Sequence, residues 1–209
     1  MIYQLNDIVI SALAKHIAPE DEIRFSLIGV QIEFTPERII YVATDGNILV
    51  AYCDCYADGE TPIDRQLIIP RDVALTKRIK KRIPLKYDIG SGNSHILVNF
   101  DSDNEFTEID GVFPIWRKVI PQKISGEMAY YNPDLLAKIS SVYKTIAEQE
   151  VLAYPLQHNG RGPGIITNGL GFLAVIMPFL AEDRQPIPAW AFAAPEEKVK
   201  AKRKAKVSA

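Results

Sequence analysis

Three times along this chain a helix-forming stretch is followed by short strand-forming runs, and the pattern returns after about 60 residues, a period that marks a repeated supersecondary unit rather than a single winding fold. In the first unit, residues 1–5 read as a short opening strand. Residues 7–17 carry apolar side chains at helical spacing behind an Asn6-Asp7 cap. Strands follow at 25–34, with Gly29 as a bulge or turn, and across 38–52, where two β-rich runs meet at a Thr44-Asp45-Gly46-Asn47 corner. The second unit reads as a strand at 66–69, a helix opening at Pro70-Arg71-Asp72 and running to about Arg82, and strands at 85–90, 94–100 and 105–109. The third has a strand at 127–131, a helix over 133–147 with Asn132 as cap and Pro133 in its first turn, and strands at 151–156, 164–167 and 172–177. Side-chain identity between the units is slight. The expected fold class is α+β, three βαβββ units with helices on one face of antiparallel sheets. Residues 1–121 form one domain of two units, 122–185 a half domain, and 186–209 a flexible basic tail, Pro- and Ala-rich before its Lys and Arg residues.

A hydrophobic share of 47% and a charged share of 24% over 209 residues are those of a soluble globular chain with a sizeable core. No apolar run approaches the roughly 20 residues that span a bilayer, and residues 1–7 lack the pattern of a secretory signal, so an intracellular, cytoplasmic protein without membrane contact is expected. Cys53 and Cys55, two apart on one strand, suit neither an easy disulfide nor a four-ligand metal site and read as thiols in a reducing compartment. A net charge of −2 argues against a bulk polycation, which leaves the distribution of cations to decide nucleic-acid binding.

Little in the chain points to catalysis. His16, His95 and His158 fall in different units with no metal-ligand spacing, the Gly90-Ser91-Gly92-Asn93 run sits between strands as a hairpin turn rather than a phosphate loop, and Asp101, Asp103 and Glu105 lack the glycine and terminal glutamate of a calcium loop. No catalytic residue, metal or cofactor is expected. The helix of the second unit is more informative. Lys77, Arg78, Lys80, Lys81 and Arg82 place five cations in six positions with no carboxylate between Val73 and Lys86. Such a run is either a solvated helix face or a surface that follows phosphates without reading bases. Lys15, Lys138 and Lys144 could extend that surface. No aromatics are interleaved, which favours duplex backbone over stacked single strands.

Three strings then read together. Ala43-Thr44-Asp45-Gly46-Asn47-Ile48-Leu49 resembles the Ala-Thr-Asp-Gly-x-x-Leu pattern in the middle domain of the bacterial DNA polymerase III β subunit, the sliding clamp. Residues 110–121 are similar to that family's Asp-Gly-x-Phe-Pro-x-Tyr-Arg-Arg-Val-x-Pro segment, and residues 174–179 resemble its terminal Tyr-Val-x-Met-Pro-Met. The resemblance implies a DNA clamp fold with helices lining a central hole, and a pocket that takes a short hydrophobic motif from polymerases and other partners. Carried onto this chain, the pocket comprises Leu27, Thr44, Gly46, Asn47, Ile48, Leu49, Pro114, Lys118, Val119, Val175, Met177, Pro178 and Phe179. It further implies a non-enzymatic, homo-oligomeric processivity factor on double-stranded DNA, in a divergent and shortened form of the kind a phage or mobile element encodes. The alternative is a non-ring adaptor or decoy that binds clamp-binding motifs without encircling DNA. Asn47 and Ile48 stand where the family has His-Arg, Trp116 replaces its Tyr, and Leu180 stands where an Arg usually follows. The family's units come in even numbers, whereas three are read here. An unpaired third unit would be completed by the same unit of a second chain.

Overall fold

A computed structural model describes residues 2–75, 86–89, 92, 94–98, 104–147 and 155–180. In chain order the elements are β1 (Ile2–Tyr3), α1 (Asp7–His16), a 3-10 turn (Phe25–Leu27), β2 (Gly29–Phe34), β3 (Ile39–Thr44), β4 (Ile48–Asp54), β5 (Arg65–Pro70) and α2 (Arg71–Ala74). They continue with β6 (Lys86–Asp88), β7 (Ser94–Val98), β8 (Asn104–Thr107), a second 3-10 turn (Trp116–Val119), α3 (Pro133–Ala147), β9 (Leu156–Gln157), β10 (Gly164–Thr167) and β11 (Phe172–Ile176). The fold is α+β with antiparallel sheets.

Asn6 starts α1 by accepting the Val9 N–H on its side chain, at 3.2 Å, and Asp7 sits in the first turn where the helix dipole favours an anion. The helix buries Val9, Ile10 and Leu13, and with Ile139 and Val142 of α3 this stripe packs against Ile32, Tyr41, Val50, Phe172 and Ile176 on the inner face of the sheet. Each such side chain contributes roughly 1.5–3 kcal/mol by leaving water. Tyr41 keeps its hydroxyl satisfied in this core by accepting the Asn6 N–H, at 3.0 Å, and burial pushes its pKa well above the usual tyrosine range.

Two sheets carry the chain. One is four-stranded in the order β1-β6-β7-β8, the other seven-stranded in the order β5-β2-β3-β4-β11-β10-β9. The opening strands are exchanged: β1 of the first unit pairs with β6 of the second, while β5 of the second pairs with β2 of the first, from Gly29 opposite Pro70 to Phe34 opposite Arg65. Neither unit can leave without opening both sheets. The third unit joins through β11 against β4, from Phe172 opposite Tyr52 to Ile176 opposite Ile48, so residues before 121 and after 122 share one sheet.

Several elements differ from the sequence reading. The strand expected at 25–34 begins only at Gly29, because the Leu27 and Ile28 N–H groups close a 3-10 turn onto Arg24 O and Phe25 O. Gly29 permits the approach of β5: a Cβ there would lie 2.5 Å from Ile69 O. Residues 127–131 form no strand but a single bridge, Tyr130 opposite Phe179. Their other polar groups meet the 158–160 loop, where Glu127 O accepts the Gly160 N–H and His158 Nδ1 accepts the Ala129 N–H, and irregular partners of that kind cannot propagate a ladder. The helix expected to Arg82 is described as Arg71–Ala74, and its remainder, like residues 151–154 and the tail from 186, lies outside the described residues. Among the described residues no helix is long and apolar enough to cross a membrane.

Candidate functional site

On the sheet face opposite the helices, a second apolar cluster gathers Leu27, Val42, Leu49, Ala51, Ile68, Phe113, Trp116, Ile165 and Val175. The connector of residues 108–121 covers it. Glu33 of β2, buried on this face, holds the connector down: Trp116 Nε1 donates to Glu33 Oε1 at 2.8 Å, Arg117 donates to both carboxylate oxygens at 3.2 and 2.6 Å, and the guanidinium lies 4.2 Å from the Trp116 ring centroid.

Where the connector stops short of the strand ends, a cavity of about 210 Å³ opens. Its floor is Leu49 and Val175, paired across β4 and β11. One wall is the corner between β3 and β4, folded on itself by local bonds. Thr44 Oγ1 donates to Ile48 O at 2.6 Å and accepts the Gly46 N–H at 3.1 Å, while Asp45 Oδ1 accepts the Asn47 and Ile48 N–H groups, each at 2.9 Å. Gly46 has φ 92°, the left-handed region that a glycine enters without steric cost. The Met177 N–H donates to Asn47 O at 2.9 Å and fastens the end of β11 to the same corner. Pro114, Ile115, Trp116 and Val119 form the far wall, and Leu27 and Arg24 of the first 3-10 turn close the mouth. Arg24 binds Glu22 at 3.1 Å, and that hydrogen bond draws the Glu22 carboxyl below its ordinary value.

Of the residues expected at a pocket, Leu27, Thr44, Gly46, Asn47, Ile48, Leu49, Pro114, Val119, Val175 and Met177 line this cavity, and Lys118, Pro178 and Phe179 do not. Residues three apart eclipse in a 3-10 turn, so Trp116 and Val119 face the cavity together and Lys118 points elsewhere. Beyond Ile176 the Phe179 N–H donates to Tyr130 O at 2.7 Å, which carries Phe179 into a separate groove. Arg24, Ile115 and Trp116 line the cavity without having been expected to. The signals were a 3-10 spacing from Arg24 to Leu27 and the amphipathic ring of Trp116 beside Pro114.

Of the expected phosphate-facing cations, Lys15, Lys138 and Lys144 are among the described residues. Lys15 is exposed in the last turn of α1 and Lys144 in the last turn of α3. Lys138 instead reaches Asp45 Oδ2 at 2.9 Å. Lys77, Arg78, Lys80, Lys81 and Arg82 lie outside the described residues. The three histidines have unrelated surroundings: His16 ends α1, His158 takes the Ala129 N–H, and buried His95 lies 3.4 Å from Glu108. Among the described residues no three His, Cys, Asp or Glu side chains are grouped to hold a metal ion.

Neither a known protein family nor a curated protein matches the amino-acid sequence. Solved structures match its fold. The DNA polymerase III β subunit of Thermotoga maritima is similar over 87% of this chain and 66% of its own, with 14% identity and a TM-score of 0.65. The Helicobacter pylori β clamp bound to a DNA ligase peptide is similar over 86% and 65%, with 13% identity and a TM-score of 0.62. The same clamp in complex with diflunisal gives 12% identity and a TM-score of 0.62. The chain spans 65% to 66% of the length of these clamps, and at such identities the likeness is one of fold: this chain has a clamp-like fold.

Proposed function

We propose that this chain is a clamp-like processivity factor that holds duplex DNA without reading its sequence and tethers a DNA polymerase, or another DNA-processing protein, by an apolar peptide seated in the cavity. The observation that carries this reading is the meeting of three distant segments, 44–49, 114–119 and 175–177, in one apolar recess on the sheet face away from the helices. A recess of that size desolvates one or two anchor side chains at roughly 1.5–3 kcal/mol each. Even two anchors give no more than about 6 kcal/mol before the cost of ordering the peptide, short of the roughly 8 kcal/mol of a micromolar complex, so the recess alone gives weak binding from which partners exchange. The likeness to the Helicobacter pylori clamp, seen with a DNA ligase peptide, supports the same use of the recess.

DNA would meet the helix side, where Lys15 and Lys144 are exposed, and the cations at 77–82, known from the sequence alone, would add to the attraction. Phosphate contacts that are weak, diffuse and equivalent at each step allow sliding, and a homo-oligomer would supply a closed path around the duplex. The pairing of Lys138 with Asp45 removes one expected phosphate contact and favours a second reading, an adaptor that uses the recess without encircling DNA.

Two measurements on the full chain separate these. Titration with the DNA ligase peptide of the Helicobacter complex should show weak, saturable binding that is lost in Val119→Asp and Met177→Asp, two rim positions exposed enough to tolerate the change. Light scattering with circular duplex DNA should show an oligomer that is retained on circles and released when they are linearised. Peptide binding by a monomer without retention would replace the processivity factor with the adaptor. Absence of peptide binding would overturn both.

A further inference from the structure

A groove of about 260 Å³, separate from the cavity, lies between β5 and the start of the connector. One of its walls holds an amide whose hydrogen bonding is incomplete. Gln31 of β2 is 4% exposed; its Nε2 donates to Gln66 Oε1 at 3.1 Å, and its own Oε1 has no partner among the described residues. A buried acceptor left in that state carries a desolvation cost that an incoming donor would recover. The terminal torsion of glutamine is soft, so a modest rotation offers this oxygen to a ligand in the groove.

The strand edge adds a second acceptor. Across β2 and β5 the bonded pairs alternate from Arg71, whose N–H donates to Ile28 O at 3.1 Å, so the main-chain groups of Gln66 and Ile68 point away from β2. The Ile109 N–H takes Ile68 O at 3.0 Å, whereas Gln66 O has no such partner among the described residues. Glu108, also lining the groove, is shared between Arg65 at 3.5 Å and His95 at 3.4 Å. Asp110 is exposed and has no ion pair among the described residues. No Lys, Arg or His side chain lines the groove, and Phe113 gives it an aromatic wall.

We propose that this groove binds a guanidinium group, carried by an arginine of a partner or by a free guanidino compound. The charge of the group suits a groove lined by carboxylates and by no cation. Its N–H donors fan out in one plane, which lets a single group serve Gln31 Oε1, Gln66 O and the Asp110 carboxylate together, where the compact head of an ammonium reaches fewer of them. The flat guanidinium also stacks on an aromatic ring better than an ammonium does, and Phe113 supplies that ring. None of the residues lining the groove lines the cavity, so the site is distinct from the proposed peptide recess.

Titration of the isotope-labelled full chain with N-acetylarginine amide, read at the main-chain amide signals of Gln66 and Ile68, tests the proposal. Saturable shifts are expected in a roughly millimolar range. N-acetylcitrulline amide keeps the shape without the charge, N-acetyllysine amide keeps the charge without the planar fork, and each should bind about tenfold more weakly or less. Asp110→Asn, at an exposed position, should weaken binding by about tenfold. Gln31→Met, which removes the unpaired acceptor, should abolish it while the amide signals away from the groove stay those of the parent. Butylguanidine, which lacks the flanking amides, separates the two sources: tighter binding of N-acetylarginine amide assigns the site to an arginine within a chain, and equal or tighter binding of butylguanidine assigns it to a free guanidino compound. Shifts that do not saturate with either guanidinium probe would overturn the proposal. So would equal binding of the citrulline or lysine compound, or binding that survives both substitutions. No partner protein or DNA enters the experiment, so its outcome is independent of the proposed function.

Discussion

The ammonium of Lys138 lies 2.9 Å from Oδ2 of Asp45, so a helix of the third unit is fastened to a strand corner 93 residues earlier in the chain. The other oxygen of Asp45 organises that corner by accepting two backbone N–H groups. The two oxygens should therefore be worth different amounts. Lys138→Met removes a partly exposed ion pair and should lower the unfolding free energy by about 1 kcal/mol or less. Asp45→Ala also strands the Asn47 and Ile48 N–H groups, should cost roughly 1–3 kcal/mol, and should weaken peptide binding at the cavity. Urea midpoints of the two variants test this, and equal losses would show that the ion pair, not the backbone bonds, dominates.

Gly46 and Gly59 both have positive φ, at 92° and 85°, but only Gly46 is crowded: a Cβ there would lie 3.1 Å from Arg24 Nη2, and one at Gly59 would meet nothing within 4 Å. Either substitution to Ala should cost about 1–3 kcal/mol in backbone strain. Gly46→Ala should in addition displace Arg24 from the mouth of the cavity and reduce peptide affinity, which Gly59→Ala should leave unchanged. Paired melting and binding curves separate the two effects.

Glu33 supports the connector from beneath. In Glu33→Ala the buried indole N–H of Trp116 loses its acceptor, a loss of roughly 1–3 kcal/mol for that group alone, and Arg117 loses both of its bonds. Glu33→Gln keeps an acceptor for Trp116 and should fall between the parent and the alanine variant. Trp116 fluorescence, followed through urea unfolding in a Trp190→Phe background, reads stability and the local environment of the ring together.

Burial holds the pKa of His95 below its ordinary 6.5, against the opposing pull of Glu108. The unfolded chain then binds a proton that the folded chain resists, so the contribution of neutral His95 is fully present above pH 6.5 and is lost as pH falls below it toward the folded value. Urea midpoints of the parent should decline between about pH 7.5 and about pH 5.5 more steeply than those of His95→Gln, in which the titrating group is gone. His16 is also held low by burial and remains in both proteins, so it cancels in the comparison. Parallel profiles would show that the folded protein accommodates the charged imidazole.

The features legible in the sequence are those made by bonds between residues a few positions apart. The Asn6 cap, the Thr44-Asp45-Gly46 corner and the Asn132-Pro133 helix start each close on themselves, through contacts such as Asp45 Oδ1 to Ile48 N–H, and residue type and spacing are enough to determine them. The resemblance of three strings pointed to most of the cavity lining on the same footing. Tertiary structure alone decided which strand edges meet, because an apolar alternating strand can pair with any other edge of suitable register. Nothing in residues 2–3 or 65–70 says that they exchange sheets, and nothing in 172–176 says that β4 is their partner. The same holds for side chains whose partners are distant. Arg24 reaches the cavity because a 3-10 turn replaces the start of a strand, Phe179 leaves it for Tyr130, and Lys138, a cation that reads as a phosphate contact, is held by Asp45. Local chemistry specified the pieces, and the burial of a common core on one sheet face and a connector on the other determined how they face one another.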